Sequence, residues 1–175
     1  LELMKNYKLL GIFKSKDNLR ILILDYNHIE EIPDDIGNLP NLRRLYLDFN
    51  EITQIPNAIG NLRNLQILHL SNNKISVIPD TIGNLARLES LYLSNNKISV
   101  IPDTIGNLIN LRGLYLDGNP LTPTTILKLN EYFDINKSFY ISYGNKERTR
   151  LNRNIIQQAE KDRDRQIANT RMAHY

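Results

Sequence analysis

The sequence predicts an α/β solenoid, with a short-stranded parallel sheet on its concave side and short helical or 3-10 segments on its convex side. Three observations predict this class. The chain repeats every 23 residues, so strictly that SNNKISVIPDTIGNL occurs twice, at 71–85 and at 94–108. Each repeat contains an LxL element with the period-2 alternation of a strand. Each LxL element is followed by a return segment long enough to connect parallel strands.

Fixed columns of identical residues define the repeat. The asparagine column contains Asn27, Asn50, Asn73, Asn96 and Asn119. The proline column contains Pro33, Pro56, Pro79 and Pro102, and the glycine column contains Gly37, Gly60, Gly83 and Gly106. The shared pattern, LxxLxLxxNxIxxIPxxIGNLxx, is similar to the leucine-rich repeat signature, whose period is about 20–29 residues. It predicts about five leucine-rich repeats over residues 18–121.

Each column has a physical reason. The leucines of LxL point to one side of the strand and, with the isoleucines, fill the space below the sheet. The asparagine amide is expected to bond backbone groups of its own turn and of the next turn, as a ladder. Proline fixes φ near −65° and lacks an N–H, which suits the start of a short helical segment. Glycine is expected to permit a backbone turn that a Cβ would obstruct.

The ends of the array need caps, because no repeat buries its own faces. Residues 1–17 contain apolar residues outside the repeat pattern and are predicted to form an N-terminal cap. Residues 122–145 are predicted to form a helical C-terminal cap, with a closing helix over Ile126–Phe133 and a strand over Lys137–Tyr143. Residues 146–175 are predicted to form a basic helical tail, because apolar residues recur there at helical spacing.

Composition and charge restrict the function. The chain has no cysteine, which excludes disulfides, thiolate nucleophiles and cysteine-based zinc sites. The first residues lack the apolar core of a signal peptide, and no apolar run approaches the ~18–20 residues of a membrane helix, so a cytoplasmic protein is expected. Residues 1–127 hold 12 basic and 13 acidic residues, against ten and six in residues 128–175. This balance predicts no basic stripe on the repeats, and hence no nucleic-acid or membrane contact by them.

The repeat unit carries a more specific resemblance. Over about residues 18–121 the motif IPxxIGNLxNLxxLxLxxN resembles the intracellular leucine-rich repeats of Ras-associated scaffold proteins, Scribble-like adaptors and plant Ras-group proteins. The resemblance implies a non-enzymatic signalling scaffold without a small-molecule cofactor. It also implies a protein partner such as a small GTPase or a phosphatase-type signalling protein.

The residues between the leucines are predicted to form ladders on the concave face, because neighbouring parallel strands lie about 4.8 Å apart. In two adjacent repeats, LRNLQILHL and LARLESLYL, the leucines stay while the concave residues change, as in a scaffold with a variable face. Tyrosine is a common interface anchor, since it joins a large apolar area to a polar tip. Alternatively, the rings only pack against their cross-strand neighbours. The candidate partner-binding residues are Tyr26, Arg44, Tyr46, Asp48, Phe49, His69, Tyr92, Tyr115 and Asp117.

Catalytic and metal-binding chemistry has little support in the sequence. His69 could act as a base or a ligand, but no second histidine and no carboxylate shares its column. Asp25 and Asp48 form the one close carboxylate pair, and an open sheet offers no cleft to separate their pKa values, so they should meet a basic partner or water. An ion pair of Arg43 or Arg44 with Asp48 is also expected. No GxxxxGK[ST], GxGxxG, HExxH or GxSxG motif occurs.

The sequence thus predicts a non-enzymatic protein–protein interaction scaffold that binds its partner on the concave face, with no metal and no cofactor. Two alternatives stay open. The repeats could be the substrate-recognition part of a larger signalling enzyme or ligase. The basic tail could instead contact nucleic acid or an acidic membrane.

Overall fold

One parallel sheet of six short strands runs through residues 16–134 and 140–142, which are the residues that this computed structural model describes. The strands are β1 (Ile21–Ile23), β2 (Arg44–Tyr46), β3 (Ile67–His69), β4 (Ser90–Tyr92), β5 (Gly113–Tyr115) and β6 (Tyr140–Ser142). They pair in this order, and from β1 to β5 each residue pairs with the one 23 positions later. The predicted solenoid is confirmed, although each strand begins and ends one residue before its LxL element.

The convex side contains short 3-10 helices that follow the prolines of the repeat. They span Asp34–Asn38, Asn57–Asn61, Asp80–Asn84 and Asp103–Asn107, and a further one, Lys16–Asn18, precedes β1. Each proline caps its helix with φ between −66° and −70°. This is the angle that the proline ring imposes, so the predicted role of the proline column is confirmed.

The glycine column has a different reason from the predicted one. Its members lie within the 3-10 helices and do not have a positive φ. A Cβ on Gly60 or Gly83 would lie 2.6 Å from the carbonyl oxygen of Thr81 or Thr104 in the next convex helix. No side chain tolerates that separation. Glycine is therefore needed for the close approach of successive convex helices and not for a turn.

The core is a continuous array of leucine and isoleucine between the sheet and the convex helices, and its central members are fully buried. The asparagine ladder runs beside it. The side-chain nitrogen of Asn73 donates to the carbonyl oxygens of Leu47 at 2.9 Å and Leu70 at 3.1 Å, and its oxygen accepts from the N–H of Ile52 at 3.0 Å. Leu47 and Ile52 belong to the preceding turn. The ladder thus runs to the preceding turn and not to the next one, because the carbonyl of Leu47 faces the turn that follows it.

The array is closed at its C-terminal end by a helix and a strand. Helix α1 (Pro123–Asp134) includes the predicted Ile126–Phe133 and starts at a proline. Proline suits the first helical position because an N–H there would have no acceptor within the helix. Ile126 and Leu129 are buried, Leu129 belongs to the hydrophobic core, and the ring of Tyr132 packs over Gly106. The helical C-terminal cap is therefore confirmed.

Strand β6 lies within the predicted Lys137–Tyr143 and pairs with β5. The predicted N-terminal cap lies almost wholly outside the described residues, and the basic tail entirely so. Among the residues that the structure describes, no helix has the length and apolarity that crossing a membrane requires.

Candidate partner-binding surface

The aromatic residues of the concave side form two separate stacks. The first, the strand stack, consists of Tyr46, His69, Tyr92 and Tyr115. Its successive ring centroids lie 4.8, 4.0 and 4.2 Å apart. The second, the rim pair, consists of Tyr26 and Phe49, just beyond the C-terminal ends of β1 and β2, with centroids 4.5 Å apart and rings nearly parallel. The structure therefore brings all six predicted ring residues to one side of the sheet.

The strand stack is largely satisfied within the protein itself. Its members are half-buried, and the rings of Tyr92 and Tyr115 are parallel to within 2°. The ring of Tyr115 lies over Gly113, where an added Cβ would come within 2.9 Å of it. A hydrogen bond with Tyr92, together with partial burial, raises the pKa of the Tyr115 hydroxyl. These contacts favour cross-strand packing as the main role of the C-terminal part of the stack.

The rim pair differs from the strand stack in exposure and in backbone conformation. Tyr26 is 75% exposed and Phe49 is 45% exposed. Their φ angles are +57° and +56°, in the left-handed region. The same position in the next three turns has the same conformation but holds Asn72, Asn95 and Gly118. Asparagine and glycine enter this region at low cost and aromatic residues do not, so two turns depart from the locally preferred residue.

The acidic column of the face bonds mainly to the protein. Asp48 Oδ1 accepts from the N–H of Ser71 at 2.6 Å, and Asp25 Oδ1 accepts from the N–H of Asp48 at 2.7 Å. Burial raises the pKa of Asp25, while the hydrogen bond from the Asp48 N–H opposes the rise. Asp117 accepts a hydrogen bond from the hydroxyl of Ser142. These oxygens thus fix the backbone of the next turn, a role that the sequence did not predict, and contact of Asp25 and Asp48 with a basic partner or water stays a prediction.

His69 does have a carboxylate partner, contrary to the expectation from its column. Its Nδ1 lies 2.8 Å from Oδ2 of Asp48, which comes from the neighbouring column of the preceding turn. Within the described part of the chain, Asp48 is the one side chain that hydrogen-bonds this ring. No group of three or more His, Cys, Asp or Glu residues in that part is placed to hold a metal ion. The pair therefore orients the imidazole within the stack.

The arginines form a feature that the sequence reasoning missed. All six in residues 18–121 lie at the first residue of a strand or within the four residues before one, and all are exposed. This arginine edge consists of Arg20, Arg43, Arg44, Arg63, Arg87 and Arg112. None of them forms an ion pair with a described residue, so the predicted pair of Arg43 or Arg44 with Asp48 is absent. The near-neutral total charge did not reveal this segregation, although Gln66 and Glu89 interrupt the column between Arg43 and Arg112 and the arginines form no continuous basic stripe.

Comparison with known proteins agrees with this geometry. The sequence profile of the family described as leucine rich repeat matches residues 17–75 and 63–121. No curated protein sequence matches the chain. Among solved structures, a leucine-rich-repeat protein of Leptospira interrogans superposes with a TM-score of 0.66 at 37% identity, over 70% of this chain and 30% of that protein.

Two further structures share the fold. An internalin from Listeria monocytogenes gives a TM-score of 0.59 at 22% identity, over 74% of this chain and 44% of that one. The leucine-rich-repeat ectodomain of the membrane receptor kinase GASSHO1/SCHENGEN3 from Arabidopsis thaliana, in complex with CASPARIAN STRIP INTEGRITY FACTOR 2, gives 0.58 at 29% identity, over 72% and 16%. The chain thus spans less than half of the length of each of the three structures.

Proposed function

The chain belongs to the leucine-rich repeat family, and we propose that it is a non-enzymatic scaffold that binds a protein partner on the concave face of its sheet. Leucine-rich repeats are in general a protein-interaction fold. A small GTPase or a phosphatase-type signalling protein, as the sequence resemblance implies, is the first partner class to test. A cytoplasmic location also stays part of the proposal.

The observation that carries the proposal is the rim pair. Tyr26 and Phe49 place large apolar rings in solvent and in a backbone conformation that favours asparagine or glycine. The exposure of the rings and the left-handed backbone both work against the stability of the isolated chain. Residues held in such a conformation against their preference occur often at binding sites, and aromatic residues are frequent interface anchors. A protein partner that covers both rings supplies the reason for them.

Recognition by this face is expected to be pre-organised. The sheet is built on a core of fully buried leucines, and the rings are already stacked on one another. Little conformational freedom is then lost at the protein's side of the interface, which lowers the entropic cost of association.

The test is an affinity capture with the full chain, followed by titration calorimetry of the protein that it retains. Three variants are compared with wild type after their fold is verified by circular dichroism. The rim variant carries Tyr26→Asn and Phe49→Asn, and the stack variant carries Tyr46→Ala, Tyr92→Ala and Tyr115→Ala. The control carries Val77→Asn and Val100→Asn, which remove two exposed apolar residues outside the concave face.

We expect the rim variant to weaken the binding free energy of the partner by at least ~1–2 kcal/mol for each ring that acts as a hot spot. The control should bind as wild type does. Equal affinity of wild type, rim variant and stack variant, with all folds intact, contradicts a concave site. If only the control variant loses affinity, the partner binds the loops that carry Val77 and Val100 instead.

A further inference from the structure

The acidic column and the arginine edge of the concave face differ in their contacts. The carboxylates of Asp25, Asp48 and Asp117 accept hydrogen bonds from the Asp48 backbone, Ser71, His69 and Ser142. The six guanidinium groups of the arginine edge have no carboxylate partner among the described residues. Lys74 and Lys128 do have partners, Glu51 and Asp103, each at 2.7 Å. The unpaired positive charge is therefore concentrated at the start of the strands.

The arginine edge borders an uncovered apolar surface at β1 and β2. Ile21 and Ile23 are 47% and 66% exposed, and the rim pair lies at the other end of the same two strands. The backbone N–H groups of Arg43 and Arg44 both donate to the carbonyl oxygen of Arg20, at 2.8 and 3.0 Å, so these three residues lie side by side. Cations, isoleucines and aromatic rings thus follow one another along the strand direction.

We propose that this open surface at β1 and β2 binds a short acidic segment of a protein partner. Carboxylates of the segment contact Arg20, Arg43 and Arg44, and its apolar side chains cover Ile21, Ile23 and the rim pair. Arginine suits this role because its planar group binds a carboxylate through two parallel hydrogen bonds. The inference rests on the proposed concave function and adds the chemistry of the partner to it.

Charge argues against the two other occupants that the chain itself provides. Residues 1–15 contain three lysines and one glutamate, and residues 146–175 contain eight basic and four acidic residues. Both segments have the same sign as the arginine edge, and like charges in contact are unfavourable. A separate acidic segment has the complementary sign.

Charge also favours an acidic protein segment over a nucleic acid. Residues 18–121 hold eight basic and eleven acidic residues, so a long polyanion meets repulsion beyond the edge. Within the edge, Gln66 and Glu89 occupy the column between Arg43 and Arg112. Nucleic-acid surfaces instead present a continuous basic track that follows the phosphates. The three arginines that lie side by side, Arg20, Arg43 and Arg44, lie only at the start of the first two strands.

The experiment pans a displayed library of random peptides of about 12 residues on the immobilised full chain. At ~3.3 Å per extended residue such peptides can cross five strands that lie ~4.8 Å apart. Enriched peptides are synthesised with a fluorophore and titrated by anisotropy. The test variant carries Arg20→Glu, Arg43→Glu and Arg44→Glu. The control variant carries Lys74→Glu, Lys97→Glu and Lys128→Glu, which make the same change of charge at exposed positions outside this surface.

We expect the enriched peptides to contain more acidic than basic residues, together with a large apolar residue. Their affinity for the test variant should be at least about tenfold weaker, because three exposed ion pairs are replaced by like-charge contacts. The control variant should bind within about twofold of wild type, and binding to wild type should weaken with added salt. Urea unfolding verifies that both variants keep the fold, and a variant with Arg→Gln changes replaces the test variant if it does not.

Several results overturn the inference. The inference is contradicted if the enriched peptides have no acidic bias or if the library yields no binder. It is also contradicted if the peptides bind the wild type and the test variant with equal affinity. Displacement of the peptide by a synthetic copy of residues 1–15 assigns the surface to the chain itself, and a dimer in light scattering assigns it to a second copy. Arginine-dependent binding of a 20-nucleotide single-stranded RNA that exceeds the peptide affinity assigns it to nucleic acid.

The proposed function can survive this failure. Suppose that peptides or a captured protein bind the test variant but not the rim or stack variant. The concave site then stands, and only its acidic specificity is contradicted. A captured protein that is insensitive to all concave variants removes the proposed function itself.

Discussion

The two ends of the concave face are built on the same backbone and carry opposite kinds of surface. At β4 and β5, Tyr92 and Tyr115 stack in parallel, and the left-handed turn position holds an asparagine and a glycine. At β1 and β2, the two isoleucines of β1 are exposed, the arginines form no ion pair with a described residue, and the turn position holds two aromatic rings. Equivalent positions therefore follow local preference at one end and depart from it at the other.

The difference separates packing from recognition within one repeated scaffold. Where the residue suits its backbone and its neighbours, the stability of the chain explains it. Where the residue conflicts with its backbone and leaves apolar area in water, a contact outside the chain explains it better. A substitution at the C-terminal end should therefore change mainly stability, and one at the N-terminal end mainly binding.

The largest expected effect is on stability, from Tyr92→Ala in the strand stack compared with Ile23→Ala in the same column. Tyr92 is half-buried between two rings, so its loss should lower the free energy of unfolding by about 1–3 kcal/mol. Ile23 is 66% exposed, and its truncation should change the same quantity by less than about 0.5 kcal/mol. Urea denaturation of both variants measures the difference. Equal losses erase the distinction between the two ends.

A smaller effect of unusual sign is expected from the double change Tyr26→Asn and Phe49→Asn. Asparagine relieves the left-handed backbone at two positions, and this gain opposes the loss of the exposed ring contact. The free energy of unfolding should not fall and should rise by up to about 1 kcal/mol. The reverse change, Asn72→Phe, serves as the control and should lower stability. A clear fall in the double variant contradicts the view that the rim pair conflicts with its backbone.

The smallest effect concerns Asp25, the carboxyl that follows β1. Its folded pKa is raised, chiefly by burial, so its contribution to stability is present below the unfolded pKa of about 3.9 and is lost as the pH rises through the folded value. Asp25→Asn keeps an oxygen for the Asp48 N–H and has no charge to desolvate. The variant should match wild type at pH 3 and exceed it at pH 7, by less than about 0.5 kcal/mol because solvent screens most of the group.

Thermal unfolding at the two pH values measures this difference. Asp80→Asn, which removes an exposed carboxylate from the convex side, is the matched control. A variant that is less stable than wild type at pH 7 contradicts the raised pKa.

The strands and convex helices of each repeat could be predicted from the sequence, because each column of the repeat reflects one local conformational preference. LxL fixed the strands to within one residue, and proline fixed the start of each convex helix. The contact partners of a column were harder to predict, since they lie in another repeat. The partner of Asn73 is in the preceding turn, and the obstacle to a Cβ on Gly60 is a carbonyl of the next helix.

The sequence predicted which side chains lie on the concave side but not how they divide into two stacks, and their role in binding stays a prediction. The nine candidate residues all lie on the concave side, while their exposure, their stacking and the bonds of Asp48 depend on side-chain directions that spacing does not encode. The left-handed turn had a signal in the sequence, because asparagine and glycine share the column with Tyr26 and Phe49. The arginine edge had one too, but it appears only when charge is counted by position within the repeat.

The contacts of Gly60 and Gly83 have a consequence for how the length of this protein can change. Each junction presents a carbonyl 2.6 Å from where a Cβ would lie, and the two junctions are chemically the same. The loss or gain of one residue inside a unit puts a side chain against that carbonyl. The loss or gain of a complete 23-residue unit recreates the same junction between new neighbours. The convex junctions are therefore preserved when the array gains or loses complete 23-residue repeats.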